Sequence, residues 1–159
     1  MLRASISALC FLASTIAACA SPPRRAPADR APPSEEAGGA GPGALRVAHL
    51  GRCSLDSGEA IDDCRIAYRT FGALDAARSN AVVFPTWFTG TTKTLVGIVP
   101  DKLVDTSRFF LVLVDSLGNG VSSAPSNSAT QPRLRFPRFS IHDMVESQRR
   151  LLGDVLGIQ

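Results

Sequence analysis

The sequence has few of the residues that nucleic-acid-binding proteins use. It contains one tryptophan, one tyrosine and two lysines, and its 17 basic residues are nearly balanced by 14 acidic ones, for a formal net charge of +3. A nucleic-acid binder needs a basic stripe or an aromatic stacking surface. The sequence also lacks the GxGxxG and GxxxxGK[ST] motifs of nucleotide sites. We therefore expect no nucleic acid partner and no bound cofactor or metal.

No apolar run reaches the ~18 residues of a membrane-spanning helix, but residues 1–18 have the layout of a bacterial secretion signal. Arg3 precedes an apolar stretch that ends in small residues. The Ile-Ala-Ala-Cys run that ends at Cys19 is similar to a lipobox, at which a peptidase cleaves before a lipid-bearing cysteine. An ordinary cut near Ala18 or Ala20 is the alternative.

Lipidation of Cys19 would make the protein an exported lipoprotein, held to a membrane by acyl chains on the periplasmic side. Ala20, which stands where an aspartate would favour retention in the inner membrane, points to the outer membrane. Residues 19–43 alternate proline, glycine and alanine, a composition that cannot offset the entropy of ordering and predicts a disordered linker. A leader without a function is the alternative. The folded domain is expected over residues 44–159.

Two cysteines remain in that domain, Cys53 and Cys64, separated by a loop rich in aspartate. They fall at the facing ends of two predicted strands, a geometry that suits disulfide spacing. An oxidising periplasm permits the bond. The sequence predicts this disulfide, and two free buried thiols are the alternative.

Hydrophobic periodicity predicts an α/β fold. The segments 45–50 and 64–71 alternate with period two and predict an antiparallel hairpin. The segments 80–84 and 109–114 are continuous apolar runs, as in a parallel sheet covered on both faces. The order hairpin, strand, crossover, strand, loop, helix indicates a sheet with a predominantly parallel centre.

The last predicted element is a helix that begins with a capping signal at Ser140 and Asp143. Gly157 stands where a left-handed cap belongs. Arg149 and Arg150 are predicted on the solvated face. The apolar face is predicted to consist of Ile141, Met144, Val145, Leu151, Leu152, Val155 and Leu156. A strand would be expected after this helix, so the domain is predicted to be incomplete.

Two loops follow apolar strands at the edge where α/β sheets bind ligands, residues 85–90 and 115–122. The second carries an Asp-x-x-Gly-x-Gly-x-Ser pattern, which resembles the loop after the fourth strand of α/β-hydrolase-fold enzymes. The wider set of motifs resembles homoserine O-acetyltransferases and their hydrolase-like relatives. This set comprises residues 67–72, 80–83, 89–90, 136–145, 148 and 156–158.

The resemblance implies the amino-terminal half of an α/β-hydrolase fold, which runs acyl transfer through a serine ester. Phe88 matches the position whose backbone N–H contributes to the oxyanion hole, with Trp87 and Thr89 beside it. Packing is the alternative role for these aromatic residues. Asp115, Gly118, Gly120 and Ser122 are expected to shape their loop.

The sequence departs from the acetyltransferases in two places. Thr86 stands where they carry a histidine, and their Gly-Ser-Thr-Gly-Pro run is absent near Ser122. Acyl-CoA is the donor that the family implies, but an exported protein would meet little of it. A small ester or acyl acceptor is the expected substrate, and a related ester hydrolase or acyltransferase of another substrate fits the compartment better than an enzyme that acts on homoserine.

The Gly-x-Ser-x-Gly nucleophile motif occurs nowhere in the sequence. The only histidines, His49 and His142, lie in a predicted first strand and a helix start, neither of which matches the family's late catalytic histidine. The leading hypothesis is an inactive amino-terminal fragment of an exported acyltransferase or ester hydrolase. The alternatives are a non-catalytic lipoprotein that pairs its open sheet edge with a partner, and an enzyme completed by a second chain.

Overall fold

The computed structural model describes residues 34–36 and 41–159. The predicted signal at residues 1–18 and Cys19 lie outside the described residues. Within the described ranges, no helix combines the length and the apolar character needed to cross a bilayer.

The domain is built on a mixed five-stranded sheet. In chain order the strands are β1 Ser34–Glu36, β2 Arg46–His49, β3 Cys53–Ser54, β4 Ala60–Ile61, β5 Arg65–Phe71, β6 Ala81–Pro85 and β7 Phe110–Val114. The order in the main sheet is β1-β2-β5-β7-β6, while β3 and β4 form a separate two-stranded ribbon. β1 lies within the segment for which the sequence predicts a linker.

Strand directions agree with the predicted α/β class and correct one detail of it. β2 and β5 form the predicted antiparallel hairpin, and β6 and β7 are parallel. The centre of the sheet is not predominantly parallel, because β5 also pairs antiparallel with β7. A parallel pair needs a long crossover connection, and among the described residues only β6 and β7 are joined by one within the main sheet.

Alternate residues of β7 pack into two separate hydrophobic cores on opposite faces of the sheet. Leu111 and Leu113 pack on one face with Leu95 and Val99. Val112 and Val114 face the other side, in a larger core with Ile66, Tyr68, Leu117, Phe136 and Leu151. Since successive side chains of a strand point to opposite faces, the continuous apolar sequence of β7 corresponds to a strand buried on both sides.

The helices cover these two faces. A short helix, α1 Thr92–Leu95, belongs to the β6–β7 crossover, and a 3-10 turn, Arg133–Arg135, precedes the longer helix α2 Ile141–Arg150. The last turn continues as a π-helical segment, Leu151–Val155, before Gly157 adopts a φ of +65°. The predicted cap of α2 is confirmed: the Asp143 N–H donates to the Ser140 hydroxyl, and the Ser140 N–H donates to the Asp143 carboxylate at 2.7 Å.

The predicted inner face of the last helix is confirmed in part. Leu151 is buried, and the core also contacts Met144, Leu152, Val155 and Leu156. Ile141 and Val145 are exposed by 75% and 58%, and Arg150, expected in solvent, is only 3% exposed. The buried stripe is Asp143, Ser147, Arg150 and Leu151. The three polar residues of this stripe share one side of a helix just as Ile141 and Val145 do, so spacing alone could not choose between the two sides.

A polar inner face is possible because the loop between β2 and β5 supplies acceptors. The Arg150 guanidinium donates to the Leu50 and Arg52 carbonyls and to the Cys53 sulfur, at 3.0 Å for the last. Cys53 and Cys64 form a disulfide with their Cα atoms 5.7 Å apart. Buried charge is tolerated only when it is well paired, and Arg150 also contacts Asp154 at 3.4 Å.

Candidate functional site

The two loops singled out in the sequence meet at one edge of the sheet. β6 and β7 are parallel and in register, with Pro85 opposite Val114, so the chain leaves both strands at the same end. The Thr86 N–H continues the pairing by donating to the Val114 carbonyl at 2.9 Å. The Thr86 hydroxyl accepts from the Ser116 N–H at 3.1 Å and donates to the Ser116 hydroxyl. Thr86 therefore holds the two loops together.

Asp115 connects both loops to α1. Its side chain is fully buried, and its carboxylate accepts from the Thr92 N–H at 2.9 Å and the Thr92 hydroxyl at 2.6 Å. The Asn119 amide donates to the same carboxylate at 2.7 Å and to the Gly90 carbonyl at 3.4 Å. On the other side of Thr92, Arg69 donates to the hydroxyl at 3.0 Å. The buried carboxylate is thus fully hydrogen-bonded, as burial of a charge requires.

The remaining loop residues fix the shape of segment 115–122. Gly118 and Gly120 have φ angles of +86° and +89°, and a Cβ on Gly118 would come within 2.8 Å of the Phe139 ring. The buried Ser122 hydroxyl donates to the Asp115 carbonyl at 2.5 Å and accepts from the Ala67 N–H at 2.9 Å. Because both hydrogen-bonding capacities of this hydroxyl are occupied by backbone, it is poorly placed to act as a nucleophile.

Residues Trp87 to Gly90 form a tight turn whose exposed surface is aromatic. The Gly90 N–H donates to the Trp87 carbonyl at 3.0 Å, and Thr89 has a φ of +66°. The Trp87 ring covers Gly90 so closely that a Cβ there would lie 2.9 Å from the indole nitrogen. Trp87 is 47% exposed and Phe88 is 92% exposed.

The backbone of this turn offers a donor. Within residues 41–159 we find no acceptor for the Phe88 N–H, which is the group that the resemblance assigns to an oxyanion hole. An N–H without an internal partner, next to the carboxyl ends of parallel strands, is available to bind a ligand oxygen.

Each of the two histidines lies beside an aspartate rather than at the β6–β7 loops. His49 lies 3.7 Å from Asp63, and His142 Nδ1 lies 3.0 Å from both carboxylate oxygens of Asp56. Neither contact involves a serine. Both aspartates belong to the loop between β2 and β5, away from the β6–β7 connection in sequence, so neither histidine is assigned a catalytic role.

Asp56, His142 and Asp143 each bring one potential metal ligand within 4.8 Å of the others. The hydrogen bonds of Asp143 account for its burial without an ion. Burial would raise the pKa of this carboxyl, but the N–H groups of Ser140 and Asp56 and the Ser140 hydroxyl donate to it, and together they hold its pKa below the ordinary value. The cluster is explained as a helix cap that also anchors the loop between β2 and β5.

Sequence reasoning missed Thr92, Asn119 and Arg69 as members of the network around Asp115. Asn119 carried a usable signal, since asparagine between two glycines is typical of a turn in which the side chain binds backbone. Its carbonyl oxygen does accept from the N–H groups of Val121 and Ser122. Thr92 and Arg69 gave no local signal, because their contacts in this network join residues that are 23 positions apart in the chain.

Known proteins resemble this chain in both sequence and structure. A probable esterase from Corynebacterium glutamicum is 38% identical over an alignment of 120 residues, which covers 73% of this chain and 34% of that protein. A homoserine O-acetyltransferase from Geotalea uraniireducens is 33% identical over an alignment of 124 residues, which covers 65% of this chain and 33% of that enzyme. The crystal structure of an acetylester hydrolase from C. glutamicum superposes with a TM-score of 0.67 and 38% identity, covering 71% of this chain and 34% of the hydrolase.

No established family profile matches the sequence. The similarity to individual proteins nevertheless extends over most of the chain, and sequence and fold point to the same group. The chain spans about a third of the length of the relatives it matches. It belongs to the α/β-hydrolase-fold superfamily, among the esterases and homoserine O-acetyltransferase-like proteins.

Proposed function

We propose that this chain is the amino-terminal part of an exported ester hydrolase, to which it contributes the oxyanion-binding turn. The observation that carries the proposal is the Phe88 N–H, which has no acceptor within residues 41–159 and lies in a hydrogen-bonded turn that follows the carboxyl end of β6. A backbone N–H in this position stabilises negative charge that develops on the carbonyl oxygen of an ester during acyl transfer. Since its geometry is set before substrate arrives, no reorganisation is needed when the charge forms.

Hydrolysis is favoured over acyl transfer by the same loops. Thr86, which stands where the acetyltransferases carry a histidine, is 9% exposed and bonded to Ser116. A solved relative is described as an acetylester hydrolase. With water as the acyl acceptor, the reaction needs neither acyl-CoA nor a site for homoserine.

We further propose that the nucleophile, its histidine base and the acid are supplied from outside residues 1–159. The edge of β6 that faces away from β7 has no strand on it among the described residues. Arg78, close to the start of β6, donates to the carbonyls of Leu156 and Gly157 at 2.6 and 2.9 Å. These bonds hold the segment after α2 beside the amino end of β6, where a further parallel strand would begin. The 159-residue chain alone should therefore be inactive.

Export is proposed from the sequence of residues 1–19. Lipidation at Cys19 would attach the domain to a membrane, with the outer membrane favoured by Ala20. The disulfide between Cys53 and Cys64 is compatible with an oxidising compartment. Incorporation of labelled palmitate into the wild-type chain, and not into the Cys19→Ala variant, is the expected result; equal labelling of both would contradict the assignment.

The catalytic proposal is tested by supplying the missing part. We would replace the matching segment of the C. glutamicum acetylester hydrolase with residues 44–159 and measure hydrolysis of ethyl acetate by the chimera and by the 159-residue chain. The chimera should be active and the chain alone should not.

Two substitutions in the chimera then separate the contribution of the Phe88 backbone N–H from that of the Phe88 side chain. Phe88→Pro removes the N–H, and loss of one oxyanion donor should lower kcat by roughly 100- to 1,000-fold. Phe88→Ala keeps the N–H and should retain most of kcat. A Phe88→Pro chimera that folds and keeps its kcat would refute the oxyanion role, and hydrolysis by the unmodified chain alone would refute the external triad.

A further inference from the structure

We propose that the side chains of Trp87 and Phe88 form an apolar contact surface for the substituents of the ester, and that this surface makes the site selective for uncharged esters. The proposal rests on the proposed function, because it places the ester carbonyl at the Phe88 N–H. It adds the class of substrate and names the two residues that select it.

Distance from the oxyanion donor limits where the substituents can lie. A hydrogen bond of ~2.9 Å from the Phe88 nitrogen fixes the carbonyl oxygen. The C=O bond adds ~1.2 Å and the next bond ~1.5 Å. Both substituents of the carbonyl carbon therefore begin within about 6 Å of the Phe88 nitrogen, a distance comparable with the length of a phenylalanine or tryptophan side chain.

The turn fixes the position of Trp87 and leaves the neighbouring Phe88 side chain exposed to solvent. The left-handed Thr89 and the hydrogen bond from the Gly90 N–H to the Trp87 carbonyl close the backbone. The Trp87 ring packs on Gly90, where there is no room for a Cβ, yet about half of its surface is exposed. Rigid aromatic side chains provide apolar contact area at a low cost in conformational entropy.

The two loops carry no charge that could bind an ionised substrate. Residues 85–90 and 116–124 contain no lysine, arginine, histidine, aspartate or glutamate. Asp115 is fully buried and already accepts three hydrogen bonds. An ionised group held against this surface would lose solvation without gaining a partner from either loop, whereas an alkyl group would gain apolar contact.

A binding titration of the full chain tests the proposal directly. Trp87 is the only tryptophan, so the fluorescence of the protein reports on this turn alone. The probes are n-butyl acetate and 4-acetoxybutanoate, which have similar length but end in a methyl group and a carboxylate. The fluorescence should change saturably with n-butyl acetate, and 4-acetoxybutanoate should bind at least about 10-fold more weakly.

Two alanine variants provide the matched comparison. Phe88→Ala keeps the reporter and removes one ring, so it should weaken binding of n-butyl acetate about 3- to 10-fold. Leu134→Ala removes another exposed apolar side chain, with a relative exposure of 103%, outside both loops and should leave binding unchanged. Equal affinity for the two probes, no saturable signal, or equal effects of the two variants would each overturn the proposal.

The chimera separates this proposal from the proposed function. If it hydrolyses both probes and Phe88→Ala leaves the ratio of their kcat/KM values unchanged, the ester hydrolase assignment stands and the selectivity of the aromatic pair is refuted. If it hydrolyses neither, the proposed function fails and the titration of the full chain decides on the contact surface alone.

Discussion

Removal of the Asp115 carboxylate should destabilise the loops at the candidate site more than any other single loss of a carboxylate in segment 85–122. In Asp115→Ala, the N–H and hydroxyl of Thr92 lose their acceptor, and Thr92 is only 1% exposed. Each buried donor left unsatisfied costs about 1–3 kcal/mol. Asn119 also loses a bond, but it is only partly buried and water can compensate. The expected loss of unfolding free energy is about 3 kcal/mol.

Asp115→Asn should cost less, because its carbonyl oxygen can still accept from the Thr92 N–H and the Asn119 amide. Asp101→Asn is the matched control. The Asp101 carboxylate also accepts from an N–H and a hydroxyl, both of Thr106, but it is exposed. Water can replace these contacts, so the control should change stability by less than about 1 kcal/mol.

The assay is urea unfolding of the full chain, followed by far-ultraviolet circular dichroism and by the fluorescence of Trp87. Circular dichroism reports on the sheet and helices, and Trp87 reports on the turn that follows β6. Asp115→Ala should lower the midpoint in both signals, and earlier unfolding in the Trp87 signal would show that the loop opens first. If Asp115→Ala shifts the midpoint no more than Asp101→Asn does, the network around Asp115 does not hold these loops.

Three further results are expected. Reduction of the Cys53–Cys64 disulfide, which spans 11 positions, should lower the unfolding free energy by about 3 kcal/mol through loop entropy. Mass spectrometry verifies the reduction, because each sulfur gains one hydrogen. An unchanged urea midpoint after reduction would contradict the predicted loss. Arg150→Met should destabilise the protein by about 2 kcal/mol because buried carbonyls lose a donor. Arg149→Met, at an exposed position, should have little effect. Similar urea midpoints for the two variants would argue against the polar inner face of the helix. The native pKa of Asp143 is lowered, so the stability that its carboxylate provides is present above its unfolded pKa of about 3.9 and is lost as pH falls through the native value. The urea midpoint of Asp143→Asn should therefore decline less than that of the wild type below about pH 4. Identical declines of the two midpoints would refute this role of the carboxylate.

The sequence alone determined the parts that depend on local periodicity. Period-two alternation located β2 and β5, and the continuous apolar run of β7 identified a strand buried on both faces. The cap at Ser140 and Asp143 could also be predicted, because its contacts lie within one turn of helix. The oxyanion role expected of Phe88 was inferred from the resemblance of spaced motifs rather than from any property of the residue itself.

Only the tertiary structure decided which polar residues are buried and what they bind. Arg150 was expected in solvent, yet it packs against carbonyls about 100 residues earlier in the chain. Asp115 was recognised as a loop residue, but its partner Thr92 comes from the crossover between β6 and β7. A side chain is stable in the interior when distant backbone or side-chain groups meet its hydrogen-bonding needs. Sequence periodicity indicates which residues share a face, but only folding brings distant hydrogen-bond acceptors to that face.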